Sequence, residues 1–202
     1  PTPSERFALG GVRVLGGVER ALQLRYRVGL SDGLTVASGL PILRLPIAEN
    51  PSPDPFEPNM IEALFQGVGA DMAGSIEALT LVRDDDAVAL SIDLDDLWFD
   101  IDEDGTRSPG EGVVEAVGIT LGLGAGFEEG PGKAPSAPTI RFDTADAAWL
   151  AAYAHLLSGV SEGVLALHPT EAIGRVLDAR AGLATLPRDP DPYGMSLDGQ
   201  WG

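Results

Sequence analysis

Apolar residues recur at helical spacing along much of the chain and predict a mainly α protein. From Asn59 to about Val82 they fall every third or fourth position, and a similar run begins at Thr144, a predicted helix cap, and ends near Leu165. Residues 170–182 repeat the pattern before a tail of low periodicity. The pattern predicts about four to five helices with a minor β component. The large aromatic side chains predicted to lie in the core are Phe65, Trp98, Trp149 and Tyr153.

The N-terminal region has a mixed pattern. Ser4 is a plausible N-cap for a helix that extends to about Leu22, although four internal glycines lower its helix propensity. Residues 22–28 alternate between apolar and polar side chains and predict a strand, with a turn at 31–33. Six prolines between Pro41 and Pro58 then predict an extended strap. We therefore divide the chain into an N-terminal segment with this strap, 1–58, and a helical body, 59–202, which together form one compact domain.

Two further elements flank an acidic segment in the middle of the chain. Apolar residues alternate over 88–94 and predict a short strand that enters this segment. Residues 108–122 predict a helix that leaves it. The acidic segment is therefore expected to join a strand to a helix.

The composition of the chain argues against several classes of binding partner. The chain has 44% hydrophobic and 22% charged residues, which is enough apolar material for a core. Its net charge of −18 disfavours nucleic acid and anionic lipid surfaces, and it suits cation binding or a salty medium. The absence of cysteine excludes disulfides and thiolate chemistry. No apolar run approaches the ~18 residues that a membrane span needs.

The segment DIDEDGTRSPGE, residues 100–111, carries the clearest chemical pattern. Three aspartates stand at alternate positions, a glycine follows the third, and a glutamate ends the segment. Calcium is a hard cation that takes six to eight oxygen ligands, and several carboxylates offset the cost of dehydrating it. The pattern resembles the calcium-binding loop of EF-hand proteins over about twenty residues of the chain.

The resemblance implies a role for each matching residue. The first three ligands are the side chains of three aspartates, and a glycine then allows the sharp turn. After it come a backbone carbonyl ligand, a residue that acts through water and a bidentate carboxylate. In this order the residues are Asp100, Asp102, Asp104, Gly105, Thr106, Ser108 and Glu111. Calcium is expected in preference to magnesium, which requires stricter octahedral geometry with fewer protein ligands.

Two departures from the EF-hand pattern bear on the role of the ion. Arg107 stands where an aliphatic residue usually pairs one loop with a second loop, and the incoming segment alternates like a strand. The chain also has no second loop of this kind. These features favour a structural calcium site of the sort found in exported proteins over a sensor that exposes an apolar groove. The alternative is an acidic turn that caps the helix starting near Ser108.

Candidate catalytic residues are few. Ser31 lies in a Gly-x-Ser-x-Gly sequence, but the residues after it do not form the helix that a nucleophile elbow needs. His155 has Ser158 three residues further on, and a partly buried structural histidine near Trp149 is the more common arrangement. His168 precedes a proline and suits a helix C-terminus. No spacing singles out a catalytic group, so we favour a non-enzymatic protein.

The leading hypothesis is an exported globular protein with one structural calcium ion. The chain starts at Pro1 without methionine or leader, so we expect a mature periplasmic or secreted product from which a signal peptide was removed. One alternative is a hydrolase with a supporting calcium site. Another is an acidic cytosolic protein of a salt-adapted organism, and a calcium sensor is a further one. The sequence identifies no protein partner.

Overall fold

The computed structural model describes residues 1–30, 45, 47–114 and 139–185. Within these ranges four α-helices and a two-stranded antiparallel sheet confirm a mainly α fold with a minor β component. The turn predicted at 31–33, most of the helix predicted over 108–122 and the tail after residue 185 lie outside the described residues.

The first helix, α1 (Pro3–Arg27), begins at a capping box. Thr2 is the N-cap in place of the predicted Ser4. Its hydroxyl accepts a hydrogen bond from the Glu5 N–H at 3.2 Å, and the Glu5 carboxylate accepts one from the Thr2 N–H at 2.7 Å. Pro3 occupies the first helical position, where a missing N–H costs no hydrogen bond.

The strand predicted over 22–28 is wrong, because α1 continues to Arg27. Val18, Ala21, Leu22 and Arg25 are all buried, and their spacing is that of one helix face. A helix satisfies its own backbone hydrogen bonds, whereas a strand here would need a neighbouring strand. The apolar alternation over these seven residues fits both periodicities, and the packing selects the helix.

The second helix, α2 (Met60–Thr80), confirms the predicted helix over 59–82 and packs antiparallel along α1. The helices approach closely at glycines of α1. A Cβ at Gly10 would lie 2.5 Å from Leu79 Cγ, and one at Gly17 would lie 2.9 Å from Met72 Cε. The buried Ser75 hydroxyl also donates to the Gly10 carbonyl at 2.9 Å. Gly10 and Gly17, two of the four glycines that lower the helix propensity of α1, are therefore the positions at which α2 approaches closely.

The sheet consists of β1 (Leu90–Asp93) and β2 (Thr139–Phe142), which pair with Leu90 opposite Phe142. β1 lies within the strand predicted over 88–94. A single 3₁₀ turn, Leu94–Asp96, follows β1 and leads toward the acidic segment. In this register the start of β1 lies beside the end of β2, where the next helix begins, and the end of β1 that leads to the acidic segment lies beside the start of β2.

The third helix, α3 (Thr144–Leu165), packs against α2. Asp143 is its N-cap and Thr144 its first residue, so the predicted cap is shifted by one position. The buried residues of α3 are small and spaced by seven positions: Ala147, Ala154 and Ser161.

Trp149 is not a core residue. It is 68% exposed, and Leu156 is 62% exposed, although both belong to the apolar run of α3. Each lies two positions, or about 200° around the helix, from a small residue that contacts α2. Trp149 stacks on Tyr153 with ring centroids 5.5 Å apart. The close approach of α2 selects the small residues as the contact face and turns the large ones outward.

The fourth helix, α4 (Pro169–Ala184), confirms the helix predicted over 170–182. His168 precedes it in the left-handed conformation, with φ of 49°, and separates it from α3. Among the described residues no single helix is long and apolar enough to cross a membrane. Together α3 and α4, which are bent by 48° at their junction, meet the length and composition of one span.

Replacing Gly10 by alanine tests the close approach of α1 and α2. The new methyl group would meet the Leu79 side chain, and such overpacking typically costs about 1–3 kcal/mol of unfolding free energy. Gly16→Ala is the matched control, because nothing lies within 4 Å of a Cβ there. It should raise stability by up to about 1 kcal/mol through helix propensity. Urea unfolding measures the free energy of unfolding of both variants. Equal changes would contradict the close contact between Gly10 and Leu79.

Candidate metal-binding site

The acidic loop, residues 100–111, closes on itself through backbone pairing at its base. Trp98 and Gly112 form an antiparallel bridge, and the Phe99 N–H donates to the Glu111 carbonyl at 2.9 Å. Phe99 and Ile101 are buried in a cluster with Val18 and Leu22 of α1. The base of the loop is therefore fixed by its own backbone and by apolar contact with α1.

The carboxylates of Asp100, Asp102 and Asp104 come together at the open side of the loop. One oxygen from each lies within 4.8 Å of the others. Calcium–oxygen distances are about 2.3–2.6 Å, so oxygens this far apart fit around a single ion. These three predicted ligands form a cluster within metal-binding distance.

Short-range hydrogen bonds shape the loop around these aspartates. The Gly105 N–H donates to Asp100 at 3.2 Å, and the Asp104 N–H donates to Asp102 at 3.3 Å. Gly105 has a φ of 76°, as expected for the predicted turn glycine. Glu103 also has a positive φ, of 62°, which the pattern does not predict.

Glu111 does not belong to the aspartate cluster. It is 5% exposed, and its two carboxylate oxygens accept the N–H groups of Ile101 at 2.8 Å and Ser108 at 2.6 Å. A carboxylate has about four acceptor positions, so these bonds leave two for a ligand. The residue predicted as the bidentate clamp thus ties the two ends of the loop together.

Thr106 and Ser108 both donate hydrogen bonds to carboxylates of the loop. Both the N–H and the hydroxyl of Thr106 donate to Asp104 at 2.7 Å. Ser108 lines a cavity of about 40 Å³ with Asp102 and Glu111. A volume of about 10–15 Å³ already admits one water molecule. The cavity therefore has room for a water molecule between Ser108 and an ion, as the resemblance to an EF-hand loop implies.

Three residues of α1, each one turn from the next, hold the loop against the helices. Glu19 accepts the Asp100 N–H at 2.8 Å, and Gln23 donates to the Asp100 carbonyl at 2.8 Å. Arg27 forms an ion pair with Glu103 at 2.6 Å. No motif in the sequence marks these three residues. Their i, i+4, i+8 spacing is visible in the chain, but nothing local indicates that this face of α1 meets a loop about eighty residues later.

Arg107, His155 and His168 do not belong to the aspartate cluster. Arg107, which replaces the pairing residue of an EF-hand, donates to the Asp95 carbonyl at 2.7 Å. His155 is exposed on α3 and His168 lies before α4, whereas Ser31 is outside the described residues. The hydrolase alternative remains a prediction.

Electrostatics favour the charged form of one aspartate. The hydrogen bonds from the Thr106 hydroxyl and, second, its N–H lower the pKa of Asp104, which is fully exposed. Because the folded-state pKa is lowered, the ionised carboxylate favours the folded loop above the ordinary aspartate pKa. That contribution is lost as the pH falls through the folded-state pKa.

Thr106→Val tests the cause of this shift. Valine removes the hydroxyl donor and keeps the backbone donor, so the pKa of Asp104 should rise toward its ordinary value without reaching it. Carboxyl ¹³C NMR titration in EDTA measures the change, and Thr106→Ser, which retains a hydroxyl, should leave the pKa lowered. An unchanged pKa in the valine variant would assign the shift to another group.

Glu111→Gln tests whether this side chain holds the loop without any ion. A glutamine offers one oxygen, so its amide group would face a backbone donor, and an unsatisfied buried group costs about 1–3 kcal/mol. We expect this loss of unfolding free energy in EDTA. Glu103→Gln makes the same charge change at an exposed ion pair and should cost less than about 1 kcal/mol. Equal losses of unfolding free energy would show that the buried hydrogen bonds of Glu111 stabilise the fold no more than the exposed ion pair of Glu103 does.

No protein-family model, curated protein or solved structure matches this chain. The geometry of the acidic loop therefore provides the basis for a functional proposal.

Proposed function

We propose that this chain is a calcium-binding protein in which a single ion occupies the acidic loop. The observation that supports this most directly is the convergence of Asp100, Asp102 and Asp104 within 4.8 Å. Three carboxylates held this close repel one another, and a divalent cation between them removes that repulsion. The oxygen-only donor set suits a hard cation, and calcium tolerates the irregular spacing better than magnesium does.

The remaining ligands in this proposal are those that the resemblance to an EF-hand loop implies. Glu111 contributes through the acceptor positions that its two backbone hydrogen bonds leave free, the Thr106 carbonyl completes the turn, and Ser108 acts through water in the adjacent cavity. This assignment keeps Glu111 as the clamp of the folded loop and makes the three aspartates the main source of charge for the ion.

The ion would act by stabilising the loop and its attachment to α1. Asp100 supplies the first carboxylate. Its N–H donates to Glu19, and its carbonyl accepts a hydrogen bond from Gln23. Anything that binds the folded loop and not the unfolded chain raises stability by RT ln(1 + [Ca²⁺]/Kd). Since Phe99 and Ile101 belong to an apolar cluster with α1, this stabilisation extends to the helices.

A structural role fits an exported protein better than a cytosolic one. Extracellular calcium modules have Kd values on the order of 10⁻⁴–10⁻³ M. We propose this range here, because the aspartate cluster is open to solvent on one side and Asp104 is exposed. Isothermal titration would measure the Kd, and a submicromolar value would remove this argument for export and revive the sensor alternative.

Thermal unfolding in EDTA and in calcium tests the proposal. At calcium concentrations about a hundredfold above Kd, the stabilisation is about 2.7 kcal/mol, which raises the Tm of a chain of this length by about 5–10 °C. Asp102→Asn should lose most of this rise. Asp95→Asn removes the same charge from an exposed residue outside the cluster and should keep it.

Two further controls separate the alternatives. Magnesium should produce a much smaller rise in Tm than calcium does. Potassium chloride at matched ionic strength should produce little change, and an equal rise would favour the salt-adapted alternative. A calcium effect that is the same in Asp102→Asn and the wild type would place the ion elsewhere and leave the loop as an acidic turn.

A further inference from the structure

Arginines occupy every seventh position of α1, at Arg6, Arg13, Arg20 and Arg27. A spacing of seven keeps them along one side of the helix. The Arg6 guanidinium donates to the Leu81 carbonyl just beyond α2 at 2.8 Å. The next two side chains lie over glycines of α2: a Cβ at Gly74 would be 2.8 Å from Arg13 Cζ, and one at Gly67 would be 3.2 Å from Arg20 Cδ.

The regular packing ends at the last arginine of this row. The residues that face Arg6, Arg13 and Arg20 are also seven positions apart and run backward along the chain: Leu81, Gly74 and Gly67. The next position in this series is Met60, the first residue of α2. Here Arg27 turns to Glu103 of the acidic loop. A cleft of about 230 Å³ opens between α1, the start of α2 and this glutamate. Drug-sized sites measure about 300–1,000 Å³, so the cleft suits a smaller ligand.

The walls of the cleft differ in chemistry. Arg20 and Arg27 line it with guanidinium groups, whereas Leu24, Met60 and Leu64 present apolar side chains. A guanidinium carries five N–H donors and binds carboxylates with two parallel hydrogen bonds. The cleft therefore offers charge to one end of a ligand and apolar surface to the other.

Both arginines have acidic partners that a ligand can replace or share. Arg20 contacts Asp71 and Arg27 contacts Glu103, each at 2.6 Å. The side chains of Arg27 and Glu103 are both about half exposed, so their ion pair contributes little to stability, whereas Asp71 is only 18% exposed beside a half-exposed Arg20. Asp71 contacts Nε of Arg20, and Glu103 contacts Nη2 of Arg27.

We propose that this cleft binds a small organic carboxylate with a short apolar tail. Its carboxylate lies between Arg20 and Arg27 and competes with Glu103, and its tail packs on Leu24 and Leu64. The net charge of −18 repels anions at long range, but charges more than about 8 Å away are largely screened at physiological ionic strength. Asp71 and Glu103 lie within that distance, so a ligand carboxylate binds the two arginines by displacing Glu103 from Arg27 and by sharing Arg20 with Asp71.

Titration of ¹⁵N-labelled protein with hexanoate, followed by NMR in EDTA, tests the proposal independently of calcium binding by the loop. We expect saturable shifts at Leu24, Ala63 and the arginine side chains, with a Kd on the order of 1 mM. Hexanol has the tail without the charge and acetate has the charge without the tail, so each should bind at least about tenfold more weakly. Absence of saturation by hexanoate, or equal binding of either comparator, would overturn the proposal.

Variants at the cleft assign the binding to these residues. Arg20→Gln and Arg27→Gln should each weaken hexanoate binding about tenfold, while Arg13→Gln, one step earlier in the same row, should leave it unchanged. Glu103→Gln removes the competing carboxylate and should tighten binding, which a purely structural role of Arg27 does not predict.

Ala63→Trp provides a test that leaves the charges in place. Ala63 is exposed and lines the cleft, so the indole fills the site without disturbing buried residues. It should abolish binding at an unchanged Tm. Equal weakening in Arg13→Gln and Arg20→Gln, or full binding in Ala63→Trp, would show that hexanoate does not occupy the cleft.

Discussion

Two helices can approach each other closely only where side chains leave room, and the packing of α1 on α2 depends on this constraint. Gly10 and Gly17 of α1 face large apolar side chains of α2, and Gly67 and Gly74 of α2 lie beneath arginines of α1. Both pairs are spaced by seven residues, and in this antiparallel register each of the four glycines faces a side chain of the other helix. The buried Ser75 hydroxyl, bonded to the Gly10 carbonyl, reinforces that register. A shift by one residue would place Cβ atoms against the neighbouring side chains and cost the hydrogen bond as well.

The position of the acidic loop depends on this register. Once α1 is fixed, one of its faces presents Glu19, Gln23 and Arg27 to the loop, and each bonds a different group there. The loop is also closed internally by Glu111, whose carboxylate spans its two ends. Its shape is therefore maintained by protein contacts in addition to any ion. A preorganised loop reduces the ordering cost that a cation must offset, which is consistent with the structural role proposed for calcium.

Much of the candidate site could be predicted from the sequence because its ligands are close together in the chain. Asp100, Asp102 and Asp104 converge through hydrogen bonds to residues two to five positions away, and Gly105 adopts the expected positive φ. The contacts of Glu111 could not be predicted, because the pattern that marks it as a ligand also fits a carboxylate that accepts backbone N–H groups. Which role dominates depends on burial, which a motif does not encode. The arginine row was visible in the sequence as a spacing of seven, but its significance depends on the glycines of another helix.

Local sequence patterns predict the helical periodicity of α2, α3 and α4, the strand within 88–94 and the turn of the acidic loop. Apolar periodicity marks the helices and the strand, and hydrogen bonds between residues two to five positions apart shape the turn, although the strand itself pairs with the distant β2. The conformation of 22–28 depends on packing between distant elements, because two periodicities overlap there and burial against α2 and the loop selects the helix. Packing between distant elements also turns Trp149 outward and places Arg20 and Arg27 along one cleft. These outcomes depend on contacts between residues tens of positions apart, whose register is set by the packing of whole helices and not by any local pattern.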